Sequence, residues 1–244
     1  MDGNARQLKA TVFGALLGLI GCIAQVHAMG PTVDYKFQII DGARTTLVGI
    51  AVPQNLDGDF PSPTAAAGVN LKGVTEAQLA AGILLMHRQA GIFRHLPFNR
   101  VVGDVGISIR VRRIAEVKDI EDLYRIRGAR LSETFVKFQQ AEALRPGVIK
   151  HSASEQILDS AIVNRGDRQY AFYRTGVAGD TQTNSESYST VLHDGCYLEF
   201  QFVFIANDVK FFSADTSVSP WIPSEARMMI DHAMSSISFT ETGQ

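Results

Sequence analysis

The chain has 244 residues, of which 45% are hydrophobic and 20% charged, and its formal net charge is −2. This length is enough for one large or two small domains with a buried core, and the composition is that of a globular protein. A net charge so close to zero does not indicate the strongly basic character that is typical of nucleic-acid-binding domains, so we expect no nucleic-acid partner.

The N-terminal segment has the features of a secretory signal peptide. Arg6 and Lys9 precede an apolar run, residues 10–24, that contains no charge. This run is too short to span about 30 Å of hydrocarbon as a helix. The tripeptide Val26-His27-Ala28 fits a signal-peptidase site. We therefore predict a signal peptide over residues 1–28 and a periplasmic or secreted protein.

A second processing signal overlaps the first. The residues Leu19-Ile20-Gly21-Cys22 resemble the lipobox of bacterial lipoproteins, in which the cysteine becomes acylated. Cleavage before Cys22 would anchor the protein to a membrane, most simply as an outer-membrane lipoprotein. Cys22 lies inside the apolar run, which favours cleavage after Ala28, but the lipidation alternative stays open.

The next elements predict a β-hairpin followed by an exposed loop. Residues 34–40 and 45–53 are rich in β-forming side chains, and Asp41-Gly42 between them is a strong turn signal. Residues 54–68 contain proline, glycine and aspartate and indicate a loop. Because exposed loops often carry recognition, Phe60 is a candidate partner contact.

Residues 76–117 predict a helix and then a strand. Thr75 and Gln78 form a capping-box pattern, and apolar residues follow at helical spacing, which predicts a helix over 76–93. Residues 101–117 alternate between apolar and polar side chains, as in a strand with one wet face that carries Arg110 and Arg112.

Several basic residues of this region are close in sequence and form a candidate binding surface for an acidic protein or for lipid head groups. The candidate partner-binding residues are Arg88, Arg94, Arg100, Arg110 and Arg112. The alternative is a set of solvated charges balanced by the acidic residues 116–122.

The C-terminal half predicts more strands and one amphipathic helix. Residues 118–147 indicate two short helices interrupted at Gly128, and two strands about a turn at 164–167 follow. Residues 196–205 are the clearest strand, with a phenylalanine face that should lie under a helix beginning at Ser224. The exported part, residues 29–244, is predicted to be a single domain, or two subdomains that meet near 146–150.

The sequence contains no recognisable catalytic motif, and we expect no cofactor and no metal site. His193 and Cys196 bring an imidazole and a thiol close together in sequence, which leaves an envelope hydrolase as an alternative. Cys196 also opens the aromatic strand, where it would face the core as a small hydrophobe, and such thiols are usually inert.

The order of elements after residue 150 is a strand pair, the aromatic strand "CYLEFQFVF" and the helix "EARMMIDHAM". This order is similar to that of the Mog1/PsbP/DcrB-like proteins, and the resemblance implies an α+β fold in which an antiparallel β-sheet packs against amphipathic helices. It also implies a protein that binds partners and is not an enzyme. We therefore expect an envelope protein that binds another protein, as an accessory or immunity factor, with a small-ligand carrier as a further alternative.

Overall fold

The computed structural model describes residues 32–53, 68–94, 100–143, 155–177, 183–206 and 224–242. These residues form two β-sheets and three helices. The strands are β1 (Thr32–Asp41), β2 (Arg44–Pro53), β3 (Gly68–Asn70), β4 (Ile83–Arg94), β5 (Arg100–Arg113), β6 (Glu155–Arg165), β7 (Arg168–Val177), β8 (Thr183–His193), β9 (Cys196–Ala206) and β10 (Ser238–Thr242). The helices are α1 (Glu76–Ala81), α2 (Ile120–Ala143) and α3 (Ser224–Ser235).

The smaller sheet has four strands in the order β10-β2-β1-β3. Its centre is the hairpin of β1 and β2, whose register pairs Asp41 with Arg44. Gly42 in the turn has a φ of +64°, a conformation that glycine adopts without steric cost. The predicted hairpin is therefore confirmed. Strand β3 pairs with β1 in parallel, and β10 pairs with β2 in the antiparallel sense.

The larger sheet has six antiparallel strands in the order β4-β5-β9-β8-β7-β6. Its C-terminal strands confirm the predicted strand pair about residues 164–167 and the predicted aromatic strand. The described chain is therefore dominated by antiparallel sheet with few helices, a mixed α/β architecture that agrees broadly with the expected fold class.

The main hydrophobic core lies along one face of the larger sheet. Alternate residues of β9, among them Phe200 and Phe202, are buried there together with Phe37 and Val48 of the smaller sheet. Helix α3 adds Met229 and its apolar neighbours to the same core and packs against β2. The phenylalanine face thus shares one hydrophobic core with the smaller sheet and with the predicted helix.

The opposite face of the larger sheet holds a second, smaller core. Helix α2 packs there against β6, β7 and β8. Leu123 of this helix is fully buried, and Tyr173 and Tyr197 of the sheet belong to the same cluster. No helix within the described ranges combines the length and the apolar character needed to cross a membrane.

The predicted helix over 76–93 is wrong beyond its first turns. The capping box of Thr75 and Gln78 is present, but α1 ends at Ala81 and Gly82 follows with a φ of +92°. From Ile83 the chain is strand β4, paired with β5. The apolar run at 83–86 suits a buried strand as well as a helix, and long-range pairing with β5 decided between them.

The predicted break at Gly128 is also wrong, because α2 runs through it without interruption. A Cβ atom on Gly128 would lie 3.0 Å from the hydroxyl oxygen of Tyr173. The glycine therefore lets the helix approach β7 closely, and tertiary packing outweighs its low helix propensity.

Candidate functional site

The structure separates the predicted basic residues onto two faces of the larger sheet. Arg88 is the register partner of Ile107, and Leu84 is the register partner of Arg110. Partners in a ladder point to the same face, and side chains three residues apart on one strand point to opposite faces. Arg88 therefore lies on the core side with Ile107, whereas Arg110 and Arg112 lie on the outer face, as predicted.

Arg88 packs against the smaller sheet. Its guanidinium carbon lies 5.1 Å from the ring centroid of Tyr35, and its Nε donates to the Tyr35 hydroxyl at 3.1 Å. This is a cation–π contact supported by a hydrogen bond. Arg88 thus helps to join the two sheets.

Arg112 belongs to a buried ion-pair network. Its Nε lies 2.5 Å from Oε2 of Glu199, and Nη2 of Arg127 lies 2.5 Å from Oε1 of the same carboxylate. Burial alone would raise the pKa of Glu199, but the two guanidinium groups outweigh this effect and hold that pKa below its usual value. Arg112 also donates to the carbonyl oxygen of Ala80. Its charge is therefore satisfied within the fold.

Arg110 differs from Arg112 in its partners. Its Nη1 donates to Oγ of Ser108 at 2.9 Å and to Oε1 of Gln201 at 3.0 Å, and both acceptors are neutral. Among the residues that the structure describes, no carboxylate lies within ion-pair distance of Arg110, although Glu199 is its register partner on β9. Leu84, its register partner on β4, is 44% exposed, and His87 further along β4 is also exposed. We call Leu84, His87 and Arg110 the β4–β5 outer face.

The remaining predicted contacts lie outside the described residues. These are Phe60, the lipidation candidate Cys22 and the side chains of Arg94 and Arg100. The backbones of Arg94 and Arg100 pair with each other at the ends of β4 and β5. A role for these four residues stays a prediction.

A second candidate site lies where turns of the two sheets meet. Asp41 ends β1, Arg113 ends β5, and His193 and Cys196 flank the turn between β8 and β9. We call these four residues the turn-end cluster. An ion pair between Arg44 and Asp194, 2.7 Å long, joins the two turns beside it.

The turn between β8 and β9 has the local geometry that its sequence favours. Asp194 and Gly195 have φ values of +43° and +75°, the pattern of a two-residue type I′ hairpin turn. The carbonyl oxygen of Gly195 accepts a hydrogen bond from the amide of Ile114 at 2.9 Å. A Cβ atom on Gly195 would collide with the carbonyl oxygen of Ile114. Only glycine fits there, and the turn is thereby held against the end of β5.

Arg113 is the hub of the turn-end cluster. Its Nη2 lies 2.5 Å from Oδ2 of Asp41, and its Nε donates to Sγ of Cys196 at 3.1 Å. The same carboxylate oxygen lies 3.6 Å from that sulfur and 3.7 Å from Nδ1 of His193. Glu76 approaches the guanidinium at 3.4 Å. A carboxylate oxygen, an imidazole nitrogen and a thiol sulfur therefore lie close together beside the guanidinium of Arg113.

The thiol of Cys196 does not have the surroundings of a nucleophile. Its side chain is completely buried, and burial raises the pKa of the thiol although Arg113 acts in the opposite direction. A catalytic cysteine needs an accessible thiolate. The prediction that Cys196 is a core residue is confirmed. Its contacts with Arg113 and Asp41 were not expected from the sequence.

The sequence alone indicates half of this cluster. His193 and Cys196 are close in sequence, whereas the residues around Asp41 predict only a turn. Cys196 and Asp41 are separated by 155 positions. The one available signal was that both turns contain the dipeptide Asp-Gly, which says nothing about their being neighbours.

A further buried carboxylate stabilises the other end of the sheet. Glu186 on β8 accepts hydrogen bonds from Arg174 on β7 at 2.9 Å and from Arg227 on α3 at 2.9 Å and 2.5 Å. Burial would raise the pKa of Glu186, but the two guanidinium groups outweigh burial and lower it. The paired charges indicate a structural role, because each one is satisfied within the fold.

No protein-family model and no curated protein sequence matches the chain. The solved structures that are similar to it include those of two proteins. The solution structure of cyanobacterial PsbP (CyanoP) from Synechocystis sp. PCC 6803 is 12% identical and matches 87% of this chain and 94% of that one, with a TM-score of 0.35. The Ran-binding protein Mog1p of Saccharomyces cerevisiae is 9% identical and matches 85% and 95%, with a TM-score of 0.36.

The weak resemblance to Mog1/PsbP proteins predicted from the order of elements is thereby confirmed. The matches extend over most of the chain, whereas the sequence indicated the C-terminal half alone. A likeness at this level concerns the fold and carries no information about function, which resides in the side chains of a site.

Proposed function

We propose that this protein acts by binding another protein in the bacterial envelope, through the β4–β5 outer face, and not by catalysis. The observation that carries the proposal is the environment of Arg110. Its two hydrogen-bond acceptors are neutral, whereas Arg112 on the same strand is paired with a buried carboxylate. Arg110 therefore makes no direct ion pair among the described residues, although Glu199, its register partner on β9, is held by Arg112 and Arg127.

The chemistry of this face indicates the kind of partner. Arginine suits carboxylates because its planar guanidinium can donate two parallel hydrogen bonds to one. Leu84 lies next to Arg110 and adds exposed apolar surface. Interfaces are enriched in arginine and in apolar contact near their centres. The proposed occupant is a protein surface on which an aspartate or glutamate stands beside an apolar side chain.

The proposed location of the protein in the envelope is inferred from the N-terminal segment. Its basic start, its short apolar run and the small residue at 28 are typical of an exported protein. An accessory or immunity factor fits this location, since neither role needs catalytic groups. The hydrolase alternative is weaker because Cys196 is buried and its thiol pKa is raised. A ligand carrier has no specific observation in its favour.

The binding proposal is tested with a photo-crosslinking amino acid in place of Leu84. Crosslinked partners from the living cell are identified by mass spectrometry, purified, and titrated against the wild type by calorimetry. We expect one partner per chain. Arg110→Gln should bind at least about tenfold more weakly, which corresponds to about 1.4 kcal/mol.

Lys36→Gln is the matched control, because Lys36 is an exposed cation on β1, in the smaller sheet. It should bind like the wild type. Thermal unfolding shows that both variants are folded. Equal affinity of Arg110→Gln and the wild type for the purified partner would refute the proposed surface, even if crosslinks form.

Immunity is tested by co-expression with the captured partner. If the partner is a toxin that acts in the envelope, the wild type should restore growth and Arg110→Gln should restore it less. A partner that is harmless when expressed alone in the periplasm argues for an accessory role instead.

The proposed export and the alternative of lipidation are tested by sequencing the mature N-terminus and by labelling with radioactive palmitate. Cleavage after residue 28 predicts a mature protein that begins at Met29 and carries no label. Label that is present in the wild type and lost in Cys22→Ala would establish the lipoprotein alternative. A cytoplasmic protein with an intact N-terminus would contradict export altogether.

A further inference from the structure

We propose that Asp41, His193 and Cys196 form a binding site for one divalent transition-metal ion of the zinc class. This inference is independent of the β4–β5 outer face and of the proposed partner. The three residues supply a carboxylate oxygen, an imidazole nitrogen and a sulfur, and these atoms all lie within 4.8 Å of one another. Oxygen, nitrogen and sulfur donors are the set that zinc accepts in proteins.

Two of the three distances between the ligand atoms are close to those of a tetrahedral ion, and the third, between Sγ of Cys196 and Nδ1 of His193, is at most 4.8 Å. Zinc binds sulfur at about 2.3 Å and nitrogen or oxygen at about 2.0–2.2 Å, so neighbouring ligands of a tetrahedral site lie about 3.3–3.6 Å apart. In the turn-end cluster, Oδ2 of Asp41 lies 3.6 Å from Sγ of Cys196 and 3.7 Å from Nδ1 of His193. Small side-chain movements would therefore complete the coordination.

The imidazole of His193 provides an independent observation. Its Nδ1 is buried, and it has no hydrogen-bond partner among the described residues. Buried polar atoms are almost always satisfied, so such a nitrogen requires an explanation. A metal ion bound to Nδ1 supplies one, because neutral imidazole is a common metal ligand.

The guanidinium of Arg113 already lies beside these ligands as a cation, and we call it the resident cation. Its guanidinium touches two of the three ligands, Asp41 and Cys196, and so it must withdraw when a metal ion binds. Glu76, whose side chain is 72% exposed, already lies 3.4 Å from the guanidinium and can keep it paired. Glu76 can therefore replace Asp41 as the carboxylate that pairs with Arg113.

Metal binding is a simple exchange. The thiol of Cys196 loses its proton to solvent, a bond forms between sulfur and the metal, and no electron is transferred. The two negative ligands, Asp41 and the thiolate, then balance the charge of the ion. The carboxylate of Asp194, which is 75% exposed and lies 3.9 Å from Nδ1 of His193, marks the solvent side, where it or a water molecule would be the fourth ligand.

Cobalt(II) titration of the purified, reduced protein tests the site. We expect one equivalent to bind, with the near-ultraviolet charge-transfer absorption of a cobalt–thiolate bond and the intense visible bands of tetrahedral cobalt. Zinc should then displace cobalt and abolish both signals. Saturating cobalt without a thiolate band in the folded wild type would overturn the proposal, whatever the variants do.

Variants assign the ligands. Cys196→Ser should abolish the thiolate band. His193→Ala should weaken cobalt binding at least about tenfold, because even the loss of a group that only orients a metal ligand typically costs about 10–100-fold in affinity. His232→Ala is the matched control, because Nε2 of His232 is likewise buried without a hydrogen-bond partner among the described residues but lies outside the cluster. It should bind cobalt as the wild type does. Unchanged binding in His193→Ala would overturn the site.

Arg113→Gln tests the displacement of the resident cation. Removal of the competing guanidinium should tighten cobalt binding, whereas a purely structural cluster would lose order and gain no affinity. Weaker binding in this variant would overturn the proposed exchange between Arg113 and the metal.

Discussion

The buried carboxylate of Glu199 allows the sharpest stability prediction. Glu199 is 6% exposed and Arg127 is 7% exposed, and their charged atoms lie 2.5 Å apart. Removing one partner of a buried ion pair costs about 3–5 kcal/mol, because the other charge stays buried without compensation. Since a glutamine oxygen can still accept a hydrogen bond from Arg127, we expect Glu199→Gln to lower the free energy of unfolding by about 3 kcal/mol, the lower end of this range.

The double variant separates this effect from a simple loss of contacts. In Glu199→Gln with Arg127→Met the uncompensated guanidinium is gone, while Arg112, whose side chain is 24% exposed, can turn to water. The double variant should therefore be more stable than the sum of the single effects predicts, by about 1.5 kcal/mol or more.

Urea unfolding followed by circular dichroism measures these differences in the free energy of unfolding. The comparison requires that the variants have equal m values, the slopes of that free energy against urea concentration. Glu133→Gln is the matched control, because its pair with Lys137 is exposed on α2 and its loss should leave the free energy of unfolding nearly unchanged. Additivity of the two buried substitutions within about 0.5 kcal/mol would contradict this prediction, since it would mean that the two charges are not coupled.

Three further outcomes are expected. Gly195→Ala should destabilise the protein by about 3 kcal/mol or more, because a collision adds to the strained φ of +75°, whereas Gly166→Ala, with a φ of +62° and open space around it, should cost only about 1 kcal/mol in thermal unfolding. Gly128→Ala should destabilise the wild type through its approach to the Tyr173 hydroxyl, yet stabilise a Tyr173→Phe background by up to about 1 kcal/mol, as an alanine in a helix normally does; a gain in both backgrounds would contradict the close packing. The pKa of Glu186 is lowered in the folded state, so its contribution is present above the unfolded value of about 4.3 and is lost as the pH falls through the folded value. Urea midpoints should therefore decline less steeply in acid for Glu186→Gln than for the wild type, and parallel declines would contradict the assignment.

Local patterns predicted the elements that local forces decide. The alternation of Phe200 and Phe202 with polar residues indicated β9 and its buried face, and the dipeptides at Asp41 and Asp194 indicated hairpin turns. These predictions succeeded because side-chain alternation and positive φ are properties of a few consecutive residues.

Local patterns predicted the wrong secondary structure where one pattern is compatible with two structures. The apolar residues at 83–86 suit either a helix or a strand, and only the pairing of β4 with β5 decides for the strand. Gly128 weakens an isolated helix, but the close approach of Tyr173 makes a small residue necessary there. In both cases the deciding contact comes from a segment that is distant in sequence.

Local patterns predict the two Asp-Gly turns, the aromatic strand and the outward direction of Arg110 and Arg112, and they indicate a signal-like N-terminal segment. That Arg112 pairs with Glu199 while Arg110 donates to neutral acceptors follows from the packing of the strands and helices. The same packing places Asp41 beside His193 and Cys196. The physical reason is that sheet order and the packing of one sheet on the other set these distances, and neither is encoded in the spacing of residues along a single strand.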